Sequence, residues 1–298
     1  MIRNEEFKME AYQDIKKAEK AAFLSMFAYL FVAILKVAVG ILGNSDALFA
    51  DGLNNTTDVI AIIALLIGLR ISRIPPDKDH AYGHRRTETI SSLVASFIML
   101  LVSLQVIFES ISNLIEKNYG APSLLTAIVA FFSGIFMYII YLFNIRLSKK
   151  IDSQAIRAAA YDNRSDAWVS FGAFLGILGA MAGLPWLDAV TALLVGILIG
   201  YTAVKIFFDA AHSLTDGFDV SKLEEIHTLI AEVSDVKEVK DIKARFNGNK
   251  IWIDATISVD AELNVTESHA ITEQIESVIR TAFPNAYTLV HIEPFFKE

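Results

Sequence analysis

The 298-residue chain contains no cysteine. Disulfides are excluded, and so is any metal site built on thiolate. No glycine-rich phosphate-binding loop is present, so nothing in the sequence points to ATP-driven work. The N-terminal stretch MIRNEEFKMEAYQDIKKAEK is polar and mixed in charge. It lacks the layout of a cleavable signal peptide, and the apolar segment after it is expected to stay in the protein. An excess of basic residues is missing as well. The formal net charge is -8, a sign that disfavours nucleic acid as a partner. The imbalance is local: from Asp216 onward sixteen acids face eight bases, and before it there are eighteen of each. A tail of that composition reads either as a merely solvated acidic face or as a surface that attracts cations.

Apolar residues, by contrast, are abundant. They make up 54% of the chain, against roughly 45–50% in an average soluble domain. A helix crossing a bilayer takes about 20 mostly apolar residues. Segments 21–43, 90–115, 124–147 and 187–208 meet that length. Two further apolar segments carry ionisable groups: 47–71 contains Asp51 and Asp58, and 153–183 contains Asp162, Arg164 and Asp166. Six membrane helices joined by short loops are predicted. Lys8, Lys16, Lys17 and Lys20 precede the first. Arg70, Arg73, Lys78, Arg85 and Arg86 lie between the second and third, and Arg146, Lys149 and Lys150 between the fourth and fifth. The opposite loops hold only Lys117. The positive-inside rule then puts both termini in the cytoplasm of a multi-pass protein, expected in the plasma membrane.

Residues 216–298 read differently. Ser221 with Glu224 suggests a capping box before a helix running to about residue 233. Strands are expected at 237–246 and 250–260, joined by the hairpin signal Asn247-Gly248-Asn249. The second strand alternates, with Ile251, Ile253, Ala255 and Ile257 on one face and Trp252, Asp254 and Thr256 on the other. A helix over about 266–283 and a strand over about 287–295 complete the order α-β-β-α-β. The expected fold class is an all-α six-helix transmembrane bundle over residues 1–215, followed by a small cytoplasmic α+β, ferredoxin-like domain over 216–298.

Carboxylates at membrane depth are costly, so they mark function by default. Asp58 lies twelve residues into the second helix and Asp166 thirteen into the fifth, roughly 18–20 Å along each axis. Both fall near the middle of a core about 30 Å thick. Asn54 with Asp58, and Asp162 with Asp166, are spaced i,i+4, so each pair shares a helical face. Two such pairs at one depth form a four-sided oxygen cage. Three carboxylates there require a dication, or protons in its place. The structural alternative is pairing with bases inside the bundle, for which Lys36 and Arg164 are the candidates. All-oxygen ligands suit hard ions such as manganese or magnesium, whereas zinc sites usually include His or Cys.

The stretch Ala47-Leu48-Phe49-Ala50-Asp51-Gly52-Leu53-Asn54-Asn55-Thr56-Thr57-Asp58 resembles the second-helix signature of the cation diffusion facilitators. So do Asp79-His80-Ala81-Tyr82-Gly83-His84 followed by Glu88, and the fifth-helix run Asp162-Asn163-Arg164-Ser165-Asp166. The resemblance implies a homodimeric metal/proton antiporter that moves divalent cations out of the cytoplasm by alternating access, with a regulatory and dimerising tail. It implies a transport site of Asn54, Asp58, Asp162 and Asp166, a set similar to the manganese-exporting branch. It further implies a loop metal site at Asp77, His80 and His84, a pair between Arg86 and Asp216, and a tail site at Asp254, His269, His291 and Glu293. Lys240 stands where one tail ligand would be, which argues against a full two-metal cluster. No prosthetic group is implied. The metal is substrate and regulator, with manganese favoured over zinc, iron, cobalt and cadmium. Partners are a second copy of the chain, metal ions, protons and lipid. Two readings of another class stay open: an intramembrane aspartyl hydrolase, which needs two aspartates on separate helices, and a metal-sensing partner subunit that does not transport.

Overall fold

The computed structural model describes residues 26–150, 154–248 and 250–296. Lys8, Lys16, Lys17 and Lys20, on which part of the orientation rests, lie outside them. Helices α1 (Met26–Leu42), α2 (Asp46–Ser72), α3 (Thr87–Glu116), α4 (Leu124–Lys150), α5 (Gln154–Met181) and α6 (Trp186–Leu214) come first. Then follow α7 (Val220–Ala231), β1 (Glu238–Asn247), β2 (Lys250–Asp260), α8 (Val265–Ala282) and β3 (Ala286–Phe295). Among the described residues, α2, α3, α4 and α6 are long and apolar enough to cross a membrane, and α1 is a shorter apolar helix. In α5 the apolar run is interrupted by Arg157, Asp162, Arg164 and Asp166. Large apolar side chains such as Leu42, Leu101, Phe108 and Leu175 stand exposed along the helices. Lipid is the solvent such surfaces require.

The described chain falls into two compact units, one of the residues up to Ile63 with Ala95–Lys205, the other of Ala64–Val94 with the residues from Ile206 onward. In the first unit, small residues let the helices approach closely, as membrane packing favours. A Cβ on Gly52 of α2 would lie 2.7 Å from the Val37 backbone nitrogen of α1. Glycine is therefore needed there. The start of α2 is fixed from α6. Ser45 Oγ accepts from the Leu48 amide at 3.1 Å and donates to Asp188 Oδ1 at 2.8 Å, while Asp188 Oδ2 accepts from the Asp46 amide at 2.6 Å. The N–H groups that a helix start leaves without partners are thus satisfied by a buried aspartate from another helix. Three small cores, including one of Tyr29, Val32, Val59, Met137 and Ala167, fill the spaces between helices.

In the second unit β1 and β2 pair antiparallel and β2 and β3 parallel, in the order β1-β2-β3. The expected alternation of β2 is realised. Ile253, Ala255 and Ile257 are buried against Ile226 and Ile230 of α7 and Ile271, Ile275 and Ile279 of α8, spaced four apart on their helices. Each such isoleucine contributes about 1.5–3 kcal/mol by leaving water. The turn signal is realised by Gly248 at φ +60°, a conformation costly to most other residues. The expected capping box is corrected. Asp219, not Ser221, caps α7, accepting from the Ser221 and Lys222 amides. The capping box is at α8, between Asn264 and Glu267. An aspartate two residues earlier reached the same orphan donors first, which spacing of Ser and Glu alone does not reveal.

Candidate functional site

Helices α2 and α5 bring one predicted contact into being. Asn54 Nδ2 donates to Asp166 Oδ1 at 3.0 Å across 112 residues of chain. Both residues are buried. Asp58, one turn further along α2, has Oδ2 buried with no hydrogen-bond partner. Asp162, one turn before Asp166, is exposed and makes no hydrogen bond to the other three among the described residues. The arrangement thus pairs an amide with one carboxylate and sets Asp58 and Asp162 one helical turn from Asn54 and Asp166, with no ion-pair partner among the described residues.

The basic residues weighed as partners for these acids are engaged elsewhere. Arg164 lies over the rings of Tyr161 and Tyr141, at 4.7 and 5.8 Å from their centroids. Lys36 of α1 is wholly buried and pairs with the equally buried Asp51, Nζ to Oδ2 2.8 Å. It also donates to Asn55 Oδ1 at 2.7 Å and Ser170 Oγ at 2.8 Å. Ser170 Oγ in turn donates to the Asp166 carbonyl at 2.9 Å. Lys36 therefore neutralises Asp51 and ties α1, α2 and α5 together beside the carboxylates. Among the described residues no basic side chain forms an ion pair with Asp58.

Tyr29 was not foreseen. Its hydroxyl donates to Asp166 Oδ2 at 2.6 Å. A tyrosine in an apolar helix reads as core, and no local spacing ties it to a residue 137 positions away. Ser170 escaped notice likewise. Its signal was available, four residues beyond Asp166 on the same face.

The loop residues do come together. His80 Nδ1 lies 3.2 Å from Asp77 Oδ1, and His84 Nε2 3.6 Å from Asp77 Oδ2. One ligand atom from each falls within 4.8 Å of the others. The His80 backbone N–H, bonded to Asp77 at 2.7 Å, holds that carboxyl below the usual carboxylate range. Two nitrogens and a carboxylate make a donor set suited to borderline dications. Within the same unit, Tyr82 meets Trp252 of β2 edge-on at 5.1 Å, and Arg86 pairs with Asp216.

The tail residues divide. Asp254, His291 and Glu293 stand on the sheet face away from the helices, opposite in phase to the residues that α7 and α8 cover. His269 is on α8 beside Glu273 at 3.7 Å, so one chain does not bring it to the other three. Lys240 Nζ holds Glu293 Oε2 at 2.9 Å, which keeps the carboxyl low and the ammonium high. His291 Nε2 is 3.9 Å from the other Glu293 oxygen. The lysine occupies the carboxylate that a tail cation would need.

Residues 22–215 match the model of the cation efflux transmembrane domain, and 219–295 that of the cation efflux protein cytoplasmic domain. The chain is 48% identical over 286 residues to the manganese efflux system protein MneS of Bacillus subtilis, covering 96% of this chain and 99% of that one. It is 32% identical over 290 residues to the manganese efflux system protein MneP of the same bacterium, covering 94% and 97%. A solved structure described as a putative zinc transporter, CzrB, is 26% identical, with a TM-score of 0.26, covering 27% of this chain and 100% of that one.

Proposed function

Because the chain belongs to the cation efflux family, a family of multi-pass membrane transporters with a dimeric cytoplasmic domain, we propose that it exports divalent manganese from the cytoplasm in exchange for protons. Family membership removes the hydrolase reading: the family is one of cation efflux proteins, not enzymes. The observation that carries the rest is the contact of Asn54 with Asp166, one helical turn from Asp58, whose Oδ2 is buried with no hydrogen-bond partner. Carboxylates with an amide and no sulfur or imidazole favour a hard dication. The manganese efflux relatives point the same way.

In this reading the ion enters from the cytoplasm and binds Asp58, Asp162 and Asp166, with the Asn54 carbonyl as a neutral ligand. The Asn54 amide nitrogen already faces Asp166, which leaves its carbonyl for the ion. Rocking of the helices around the site opens it outside, where protons replace the metal on the same oxygens and return inward. A carboxylate oxygen does not hold a proton and a metal strongly together, and exchange follows from that competition. Residues 1–215 then form the transport domain and 216–298 the regulatory and dimerising domain, with both termini cytoplasmic in the plasma membrane. Asp77, His80 and His84 are the loop site through which a cytoplasmic cation acts on the transporter.

Asp58→Ala in proteoliposomes is expected to abolish manganese flux while leaving a folded dimer. Normal flux by that variant would overturn the site. Flux of wild type against a panel of dications, with and without a pH gradient, tests the ion and the coupling. Its absence from the purified dimer would favour the sensor subunit instead.

A further inference from the structure

Helix α1 supplies none of the four proposed ligands, yet one of its side chains bonds directly to a proposed ligand. Tyr29 is 6% exposed. Its hydroxyl donates to Asp166 Oδ2 at 2.6 Å while Asn54 donates to Oδ1 at 3.0 Å. A carboxylate offers about four lone-pair positions on its two oxygens. One on each oxygen is filled by a neutral donor, so the charge is kept and the rotation of the group is fixed. The donor is itself immobilised. Tyr29 belongs to a buried cluster with Val32 of its own helix, Val59 of α2, Met137 of α4 and Ala167 of α5. Ala167 is the neighbour of Asp166, so the cluster that holds the ring includes the turn that carries the ligand it orients. Short O–H to carboxylate bonds are charge-assisted and about twice as strong as neutral ones.

We propose that Tyr29 is the positioning residue of the transport site: it locks the Asp166 carboxylate in the one rotation that turns its remaining lone pairs toward the ion. The proposal rests on the transport-site reading and deepens it. Tyr29 acts through Asp166 and does not touch the metal. Outer partners of metal-bound carboxylates and imidazoles contribute about 10- to 100-fold in affinity. A phenylalanine at position 29 keeps the ring and its packing and removes only the hydroxyl. The freed carboxylate turns among several orientations, and the ion must select one of them on binding. Once bound, the ion itself fixes the group, so the step after binding is little changed.

The test uses the full-length dimer in proteoliposomes, with manganese ion as the probe, comparing wild type, Tyr29→Phe, Tyr29→Leu and Asp166→Ala. For Tyr29→Phe the concentration giving half-maximal flux is expected to rise about 10-fold or more. Maximal flux should stay within about twofold, and the thermal midpoint should fall less than in Tyr29→Leu, because only a hydrogen bond is lost. Tyr29→Leu should show the same affinity loss together with lower stability, because it also empties part of the core. If Tyr29→Phe leaves half-saturation unchanged, or lowers only maximal flux or stability, the positioning role is overturned. Asp166→Ala separates the two levels. Wild-type saturation by that variant sinks the transport-site reading itself. Abolition by Asp166→Ala with an unaffected Tyr29→Phe sinks only the role of Tyr29.

Discussion

Replacing Lys36 by methionine should be among the most damaging single changes in the membrane domain, although Lys36 binds nothing that is transported. Its side chain and that of Asp51 are both 0% exposed and 2.8 Å apart. Asp51 Oδ1 is buried with no hydrogen bond, so the ammonium is what makes its charge tolerable. Methionine fills nearly the same volume but carries no charge. Breaking a buried pair from one side costs about 3–5 kcal/mol, because the remaining ion is left uncompensated. Asn55 and Ser170 lose a donor as well, which keeps the cost toward the upper end of that range. The pair as a whole is worth far less than either half suggests, since taking both charges out of water is itself expensive. The double change Lys36→Met with Asp51→Leu should therefore recover most of the loss. Equilibrium unfolding of the detergent-solubilised dimer, followed by circular dichroism, measures both. A single variant within about 1 kcal/mol of wild type would refute the reasoning. So would a double variant no more stable than the single.

Three further outcomes are expected. Asp188→Ala should destabilise by about 1–2 kcal/mol, measured in the same titration, because it strips the start of α2 of its acceptor for the Asp46 amide. Gly52→Val should abolish flux and lower the thermal midpoint, since a Cβ there meets the backbone of Val37 at 2.7 Å; wild-type flux would show that α1 and α2 are not so close. The Lys240–Glu293 pair predicts a pH dependence of tail stability, read as the difference between wild type and Lys240→Met in full-length protein. Glu293 is held low, so its contribution is complete above the ordinary glutamate value near pH 4.3 and is lost as pH falls through its lowered value. Lys240 is held high, so its contribution is lost only as pH rises through a value above 10.5. The difference should be flat from about pH 5 to 10 and shrink toward acid; a step near pH 7 would contradict the assignment.

Much of this molecule was legible along the chain, and the reason is periodicity. Long apolar runs can be read as membrane helices because lipid offers the backbone no other hydrogen bonds. The alternation of Ile251, Ile253, Ala255 and Ile257 marked the buried face of β2. The i,i+4 spacing within Asn54/Asp58 and Asp162/Asp166 put each pair on one face, since a helix repeats every 3.6 residues. Asp77, His80 and His84 were near enough in sequence for a turn to gather them. None of this depended on which face of one helix meets another. That Asn54 touches Asp166, that Tyr29 donates to it, that Lys36 pairs with Asp51 rather than Asp58, and that Asp188 caps α2 all follow from packing. These contacts join residues 15 to 143 positions apart. They exist because glycines such as Gly52 let backbones close to van der Waals distance and so decide which side chains share a cavity. Spacing along one helix says which way a side chain points, and only the neighbouring helix supplies what it points at.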